Sequence, residues 1–351
     1  MNLKELAAHL NLSQTTVSRA LNGFPEVSEA TRKRVADAAE QHNYRPNTRA
    51  KALATGRAMA IGHVIPVSAQ HEMVNPIFGD FIAGAGETYA KAGYDMVLSL
   101  VEDDKQEKAY RDMAAKRNVD GIILHAPRMA DPRIDLLREI GLPFAVHGRA
   151  SEVDGPYSWL DVNNKSAFQR ATQFLLDLGH RRICLVNGLE YMDFAWRRRA
   201  GYLYALENHG IAADPSLMFA EEMTESYGYR TVMQTQALAD PPTAYLVSSI
   251  IPAMGVRRAV EDSGRRMGRE ISVITHDDDL SYLRNSGEVP QFTATLSSVQ
   301  DAGRQLAALL LDQILSVPNH MPTRLLEAQL TVGTSTGPAP APASSSAPSS
   351  A

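Results

Sequence analysis

Gln14, Thr15, Ser18, Arg19 and Asn22 fall within one short stretch, and each side chain can exchange hydrogen bonds with a nucleobase edge. In a major groove Arg pairs with guanine and Gln with adenine. The run Ser13-Gln14-Thr15-Thr16-Val17-Ser18-Arg19-Ala20-Leu21-Asn22 sets Val17, Ala20 and Leu21 on one face of a helix and leaves the polar groups on the other. A second set stands far along the chain. Arg198 stands in a run of three arginines, Arg197 to Arg199, and Asp277 follows the strand-like run Ile271 to Thr275. A guanidinium and a carboxylate together bracket vicinal hydroxyls through charge-assisted hydrogen bonds. The first set points to DNA, the second to a small hydroxylated ligand.

The elements that must carry the first set are legible around it. Leu3, Leu6, Ala7 and Leu10 recur at i, i+3, i+4, i+7, the stripe of a packed helix. Asn11-Leu12-Ser13 interrupts the stripe, and the Ser13 hydroxyl can cap the next helix. A third helix begins at Ser28, with Glu29 suited to its positive end, and buries Val35, Ala38, Ala39 and His42. This is a helix-turn-helix with a three-helix core. Residues 1–57 hold nine Lys or Arg against five Asp or Glu, a surplus of four positive charges on a chain of net charge −5. A basic headpiece on an acidic body concentrates phosphate attraction in one place. Pro46 stops the third helix, and Thr48 to Gly56 is a helix-capable run too short to stand alone. Ala50 and Leu53 give it a small apolar face for a symmetry mate or a DNA groove.

The body is ordinary globular matter, 44% hydrophobic and 21% charged over 351 residues. Its apolar runs are too short to span a bilayer and the amino terminus carries no signal-peptide pattern, so a cytoplasmic protein without a membrane partner is expected. The single cysteine, Cys184, sits in the apolar run Ile183 to Val186 and reads as a buried, inert thiol. Strand-like runs at Ala60 to Val67, Met96 to Val101, Gly121 to His125, Phe144 to His147, Ile183 to Asn187, Ala244 to Val247 and Ile271 to Thr275 alternate with helical ones. That alternation predicts parallel sheets covered on both sides, with ligands at the carboxyl ends of strands. His147 and Arg149 follow one such strand and Asp161 ends a crossover; each fits a ligand contact or a contact between lobes. Phe78 and Trp196 are the aromatic candidates for stacking on a ring, with a core anchor the competing role for Phe78. His276-Asp277-Asp278-Asp279 points its side chains alternately and is not expected to hold a metal. No Gly-rich phosphate loop or activated-nucleophile motif is present in the sequence, so neither catalysis nor a cofactor is expected.

Three segments together resemble the LacI/GalR family of bacterial transcriptional regulators: Ser13 to Asn22, the Asn43-Tyr44-x-Pro46-Asn47 step, and Ala52-Leu53-Ala54-Thr55-Gly56. The similarity runs to about Gly333. It implies a small all-α helix-turn-helix headpiece at 1–46, joined by a hinge helix and linker at 47–58 to a bilobal α/β domain with two mostly parallel sheets at 59–333. One lobe would span about 59–160 plus 290–322 and the other about 161–289 plus 323–333, the chain crossing between them three times. The Pro/Ala/Ser-rich segment 334–351 is expected to be disordered.

The resemblance further implies a homodimer on a pseudo-palindromic operator, with Gln14 and Thr15 at variable base-reading positions and Arg19 at a more constant one. Leu53 would wedge into the central minor groove, and Ser13, Thr16, Ser18, Asn22, Ser28, Asn47 and Ala50 complete the DNA-contacting set. By the same resemblance Arg198, in an Arg198-x-x-Gly201 step, stands where the family's effector-reaching arginine would, and Asp277 at the first aspartate of its strand-end pair; with Phe78, His147, Arg149, Asp161, Trp196 and Ser249 they form the expected effector set. Two departures bear on the ligand. Ser248-Ser249-Ile250 stands where many members carry Asn-Asp, which makes Ser249 a weak candidate, and Asn163-Asn164 replaces the usual Asp-Asn. The expected function is a repressor of carbohydrate genes controlled by a small sugar. A purine-responsive corepressor of the same family and an exported solute-binding protein are the alternatives, the latter lacking any use for the headpiece.

Overall fold

The computed structural model describes the chain except for residues 22, 45–55, 67–75, 286, 317–319 and 342–351. It divides into two compact units, Met1–Met59 with Arg117–Asp120, and Ala60–Lys116 with Gly121–Ala351.

In the first unit, α1 (Leu3–Leu10), α2 (Gln14–Leu21) and α3 (Glu29–Gln41) enclose Leu6, Leu10, Val17, Ala20, Val27, Val35 and Ala38. Each helix start is closed by a side chain. Asn2 and Glu5 form a reciprocal capping box on α1, Ser13 accepts the Thr16 amide at 3.0 Å, and Ser28 accepts the Thr31 amide at 3.3 Å. A core this small relies on such caps, each worth about 1 kcal/mol.

The second unit contains two six-stranded sheets. Its elements run in the order β1 (Ala60–Pro66), α4 (Pro76–Ala92), β2 (Asp95–Val101), α5 (Gln106–Lys116), β3 (Gly121–His125), α6 (Pro132–Ile140), β4 (Phe144–His147), β5 (Ser158–Val162) and α7 (Asn164–Asp177). There follow β6 (Ile183–Asn187), α8 (Asp193–Asn208), β7 (Met218–Ala220), α9 (Glu225–Gln236), β8 (Ala244–Val247), α10 (Ile250–Asp262), β9 (Ser272–Asp277), β10 (Thr293–Leu296), α11 (Val299–Leu315), β11 (Thr323–Leu326) and β12 (Gln329–Thr331). The first sheet has strand order β11-β5-β4-β3-β1-β2 and is parallel throughout. The second has order β12-β10-β9-β8-β6-β7, and only its β10–β12 pair is antiparallel. Central strands such as β3, β6 and β8 are buried along their whole length, as strands covered on both faces must be.

The chain passes between sheets after β5, after β10 and after β11. The lobes differ from the expected ranges at two places. Thr293–Leu296 pairs with β9 and belongs to the second sheet, while Thr323–Leu326 pairs with β5 and belongs to the first. Register decides this: Thr293–Leu296 is a short, mixed strand that offers no apolar signature, and it is its ladder with β9 that fixes its lobe.

Helices cross closely where glycine removes a side chain. A Cβ on Gly201 of α8 would stand 2.2 Å from the Lys165 carbonyl oxygen of α7, so only glycine permits this approach. The crossing brings Arg198, one turn earlier on α8, beside Asn164 at the start of α7.

The expectation of disorder from residue 334 is corrected. Ser335 is fully buried, accepts the Thr293 amide at 2.8 Å and donates to the Val273 carbonyl at 2.5 Å. The Gly337 amide reaches Ser272 at 3.1 Å and the Ala339 amide reaches the Leu178 carbonyl at 2.8 Å. Lack of apolar side chains rules out a core of its own, but small residues let the backbone and hydroxyls bond directly to the second sheet. Residues 342–351 of that segment lie outside the described residues. Ser335→Ala is expected to lower stability by about 1–3 kcal/mol, because buried partners lose their hydrogen bonds; an unchanged urea midpoint would show that the Ser335 hydroxyl contributes nothing to the fold.

Candidate DNA-binding face and effector cleft

On α2, Val17 and Ala20 point into the headpiece core, while Gln14, Thr15 and Arg19 are exposed. Thr16 and Ser18 are half-buried, and the Thr16 hydroxyl lies 2.8 Å from that of Ser13. Gln14, Thr15 and Arg19, at i, i+1 and i+5, therefore form one polar surface whose donors are free of the core. Ser13 and Ser28 serve as caps with their hydroxyls at the helix starts. Asn22, Asn47, Ala50 and Leu53 lie outside the described residues.

Between the two sheets of the second unit lies a cleft of about 150 Å³. Phe78, His147, Arg149, Asp161 and Arg198 line it together with Asn164, Phe194, Met223, His276 and Asp278. Arg198 is almost fully buried. Its Nε donates to Asn164 Oδ1 at 2.8 Å, Nη1 donates to the Ser248 carbonyl, and the guanidinium lies about 5 Å from the ring centres of both Phe168 and Phe194. Burial lowers its pKa to about 10, so it stays charged at neutral pH. Opposite charges pull against that loss, from Asp278 first and Asp161 next.

Asp161 is the acceptor for Arg149 Nε at 2.8 Å and for Asn164 Nδ2 at 3.2 Å. Its carboxyl is pushed above the usual range by burial, partly offset by Arg149. Asp278 is the more perturbed group. Burial raises it to about 7, Arg198 pulls it back and Asp277 pushes it further up. His276 Nε2 is 3.5 Å from Asp278, but burial and the Arg198 charge hold His276 well below its ordinary value, so the imidazole is neutral. Beneath the opposite wall, His147 stacks on Phe81 at 4.3 Å, and burial lowers its pKa to about 4. His63 bridges His125 and Tyr89, at 3.1 Å each, and burial lowers it to about 3. The cleft thus combines apolar walls with a cluster of strong donors and acceptors, the composition of a site for a hydroxylated molecule.

Three expected residues stand off the cleft. Trp196 lies two residues from both Phe194 and Arg198, which share a helical face, and it is accordingly on the far side of α8, 40% exposed. Ser249 caps α10 through the Ile251 amide; it is the carbonyl of its neighbour Ser248 that meets Arg198. Asp277 accepts the Asp279 amide at 2.9 Å and turns away, so that Asp278, two residues after His276, takes the cleft position.

A model of bacterial regulatory proteins of the lacI family matches residues 2–47, and a model of the periplasmic binding protein-like domain matches residues 172–336. Over 341 residues the chain is 42% identical to the HTH-type transcriptional regulator AglR of Rhizobium meliloti (strain 1021), covering 97% of this chain and 95% of that one. The chain belongs to the lacI family of bacterial regulatory proteins. It is a DNA-binding transcriptional regulator.

The regulator also resembles solved members. A complex of the transcriptional regulator CelR with cellobiose superposes with a TM-score of 0.71 at 28% identity, over 95% of this chain and 99% of that one. The lac repressor dimer bound to operator and the anti-inducer ONPF gives 0.78 at 25% identity, over 96% and 99%. Among the regulator's described helices none is long and apolar enough to cross a membrane.

Phe194, His276 and Asp278 are not singled out by sequence as cleft residues, and Asn164 enters there only as a departure from the family pattern. Periodicity held the signal for one of them: Phe194 is four residues before Arg198 on one helix, whereas Asp278 lies just past the end of β9, where no strand period applies. Asp278 also generates a test. Its carboxyl is held up to about 7 against an ordinary 3.8, so between those values the folded state keeps a proton that the unfolded state has lost. Its contribution to stability therefore falls as pH rises from about 4 to about 7 and is level above. Asp278→Asn is expected to flatten that decline in urea midpoints; identical slopes in both proteins would place the titration elsewhere.

Proposed function

We propose that the regulator is a homodimeric, cytoplasmic repressor of carbohydrate genes that binds a pseudo-palindromic operator and whose cleft takes a neutral saccharide or glycoside as effector. The observation that carries the effector class is the wiring of the two cleft arginines. Arg149 is engaged by Asp161, and Arg198 by Asn164 and the Ser248 carbonyl, with Asp278 close enough to act on its charge. A phosphate or carboxylate would have to compete with Asp161 for Arg149, and at Arg198 it would enter beside the Asp278 carboxyl, with Asp161 also acting on that cation. A hydroxyl can donate to Asp161 or Asp278 and accept from a guanidinium without importing charge. Phe78 and Phe194 add apolar surface of the kind that packs on a sugar ring. The cellobiose held by CelR, a relative in the same fold, supports this reading.

On the DNA side, Gln14, Thr15 and Arg19 are the base-reading residues, and Leu53 is assigned the minor-groove wedge. The regulator acts by binding, without a catalytic step. An effector that prefers one lobe arrangement changes operator affinity by the difference between its binding energies to the two states, and operator changes effector affinity by the same factor.

Arg198→Ala is expected to abolish the effector response while operator binding persists, as read by fluorescence anisotropy of labelled operator with and without sugar. A normal response in that variant would move the pocket. Arg19→Ala is expected to cost about 1–3 kcal/mol and to relax preference at one position of each half-site; a uniform loss across all sequences would make Arg19 a phosphate contact. A thermal-shift panel of neutral sugars, sugar phosphates and purines tests the ligand class, since a molecule bound by the folded state raises its melting temperature. A stabilising purine or sugar phosphate, with neutral sugars silent, would overturn the saccharide reading.

A further inference from the structure

One face of α8 supplies Phe194 and Arg198 to the cleft, and an adjacent face is tied to the other lobe. Asp193, buried at the start of α8, accepts the Ser151 amide from the loop after β4 at 2.7 Å and also the Ser151 hydroxyl. Arg197, one turn on, donates to the same carboxylate at 2.5 Å and to the Ser151 hydroxyl at 2.8 Å. Backbone bonds reinforce the contact: the Asp193 amide reaches the Pro127 carbonyl at 3.1 Å, and Arg128 pairs with Met192 as a short antiparallel bridge. A further interlobe bond joins the Ser281 amide to Asp80 of α4 at 2.7 Å.

Ser151, Asp193 and Arg197 are absent from the cleft wall, yet they flank Arg149, Phe194 and Arg198, which form it. Parting the lobes at this point requires Asp193 to give up two donors from the opposite lobe at once, and leaves Arg197 without its second acceptor. Because α8 is one rigid element, whatever holds Asp193 also holds Arg198 in its cleft position.

We propose that Ser151, Asp193 and Arg197 form a latch that keeps the lobes closed over the cleft and sets how readily an effector enters and leaves. Asp193 and Arg197 are then positioning residues, acting on the ligand through Arg198 and Phe194 without touching it. The inference rests on the cleft being the effector site, but its first test needs no effector, so the two readings can fail separately.

The amides of Ser151 and Asp193 are bonded across the lobes only when the latch is shut, which makes their hydrogen exchange a direct report of opening. In the full-length, unliganded protein both are expected to be protected. Arg197→Gln and Ser151→Ala are each expected to speed exchange at residues 151 and 193 by about tenfold or more, with the amides of β3 and β6 unchanged. Wild-type-like exchange at both positions in both variants would overturn the latch. Acceleration that spreads equally to β3 and β6 would overturn it too, since it would mean general loss of stability rather than parting of the lobes.

Discussion

A guanidinium removed from water must find partners inside the protein, and the cleft is organised around that requirement at Arg198. Leaving such a charge unpaired would cost several kcal/mol. Its partners come from separate pieces of chain: Asn164 from the crossover after β5, the Ser248 carbonyl from the end of β8, and Phe168 and Phe194 from two packed helices. Each depends on a feature elsewhere. Gly201 lets α8 approach α7, the capping of α10 by Ser249 fixes the turn that presents the Ser248 carbonyl, and the parallel order of β6, β8 and β9 brings their carboxyl ends to one side.

The same burial explains why the acidic groups nearby are unusual. Asp161 and Asp278 share the low-dielectric space with Arg149 and Arg198, and in both carboxyls desolvation outweighs the attraction of the arginines. The histidines of the first sheet follow one logic: His63 within β1, and His125 and His147 at the ends of the adjacent strands β3 and β4, are all depressed by burial. Of these three His147 reaches the cleft wall, where its neutral imidazole adds polarity without adding charge. Ionisable charge on the cleft wall is thereby confined to Arg149, Asp161, Arg198 and Asp278, of which Asp278 is only about half ionised at neutral pH.

How much of this was legible in sequence followed from how local each cause is. The headpiece came through because caps, stripe and exposed face lie within a few residues of one another, and Ser13 and Ser28 do what their types suggest. Long apolar strands such as β3 and β6 were equally plain, since full burial demands continuous apolar residues. Thr293–Leu296 and Met218–Ala220 carry no such signature, because their identity as strands is conferred by neighbouring ladders. The segment at Ser335 escaped for a related reason: its anchorage is hydrogen bonding to distant strands, which composition does not record. Among site residues, Arg198 follows from the family resemblance, while Trp196 is suggested by its type and Asp277 by its place after a strand, where side-chain direction favours Phe194 and Asp278.

The magnitudes make control by a small neutral ligand reasonable. To move a two-state equilibrium from one per cent to ninety-nine, a ligand needs a preference of about 5.5 kcal/mol for one state. A hydrogen bond to a charged group contributes about 1.5–3 kcal/mol, and one between neutral groups about 0.5–1.5. Two or three bonds to Arg198, Asp161 and Asp278, made only when both lobes face the ligand, therefore reach the required range. The lining comes from both sheets, with Arg149 and Asp161 on the first and Arg198 and Asp278 on the second, so no ligand can engage all four unless the lobes are together. Selectivity for one lobe arrangement is in this way built into the division of the site between two sheets, and it requires no contact stronger than an ordinary charge-assisted hydrogen bond.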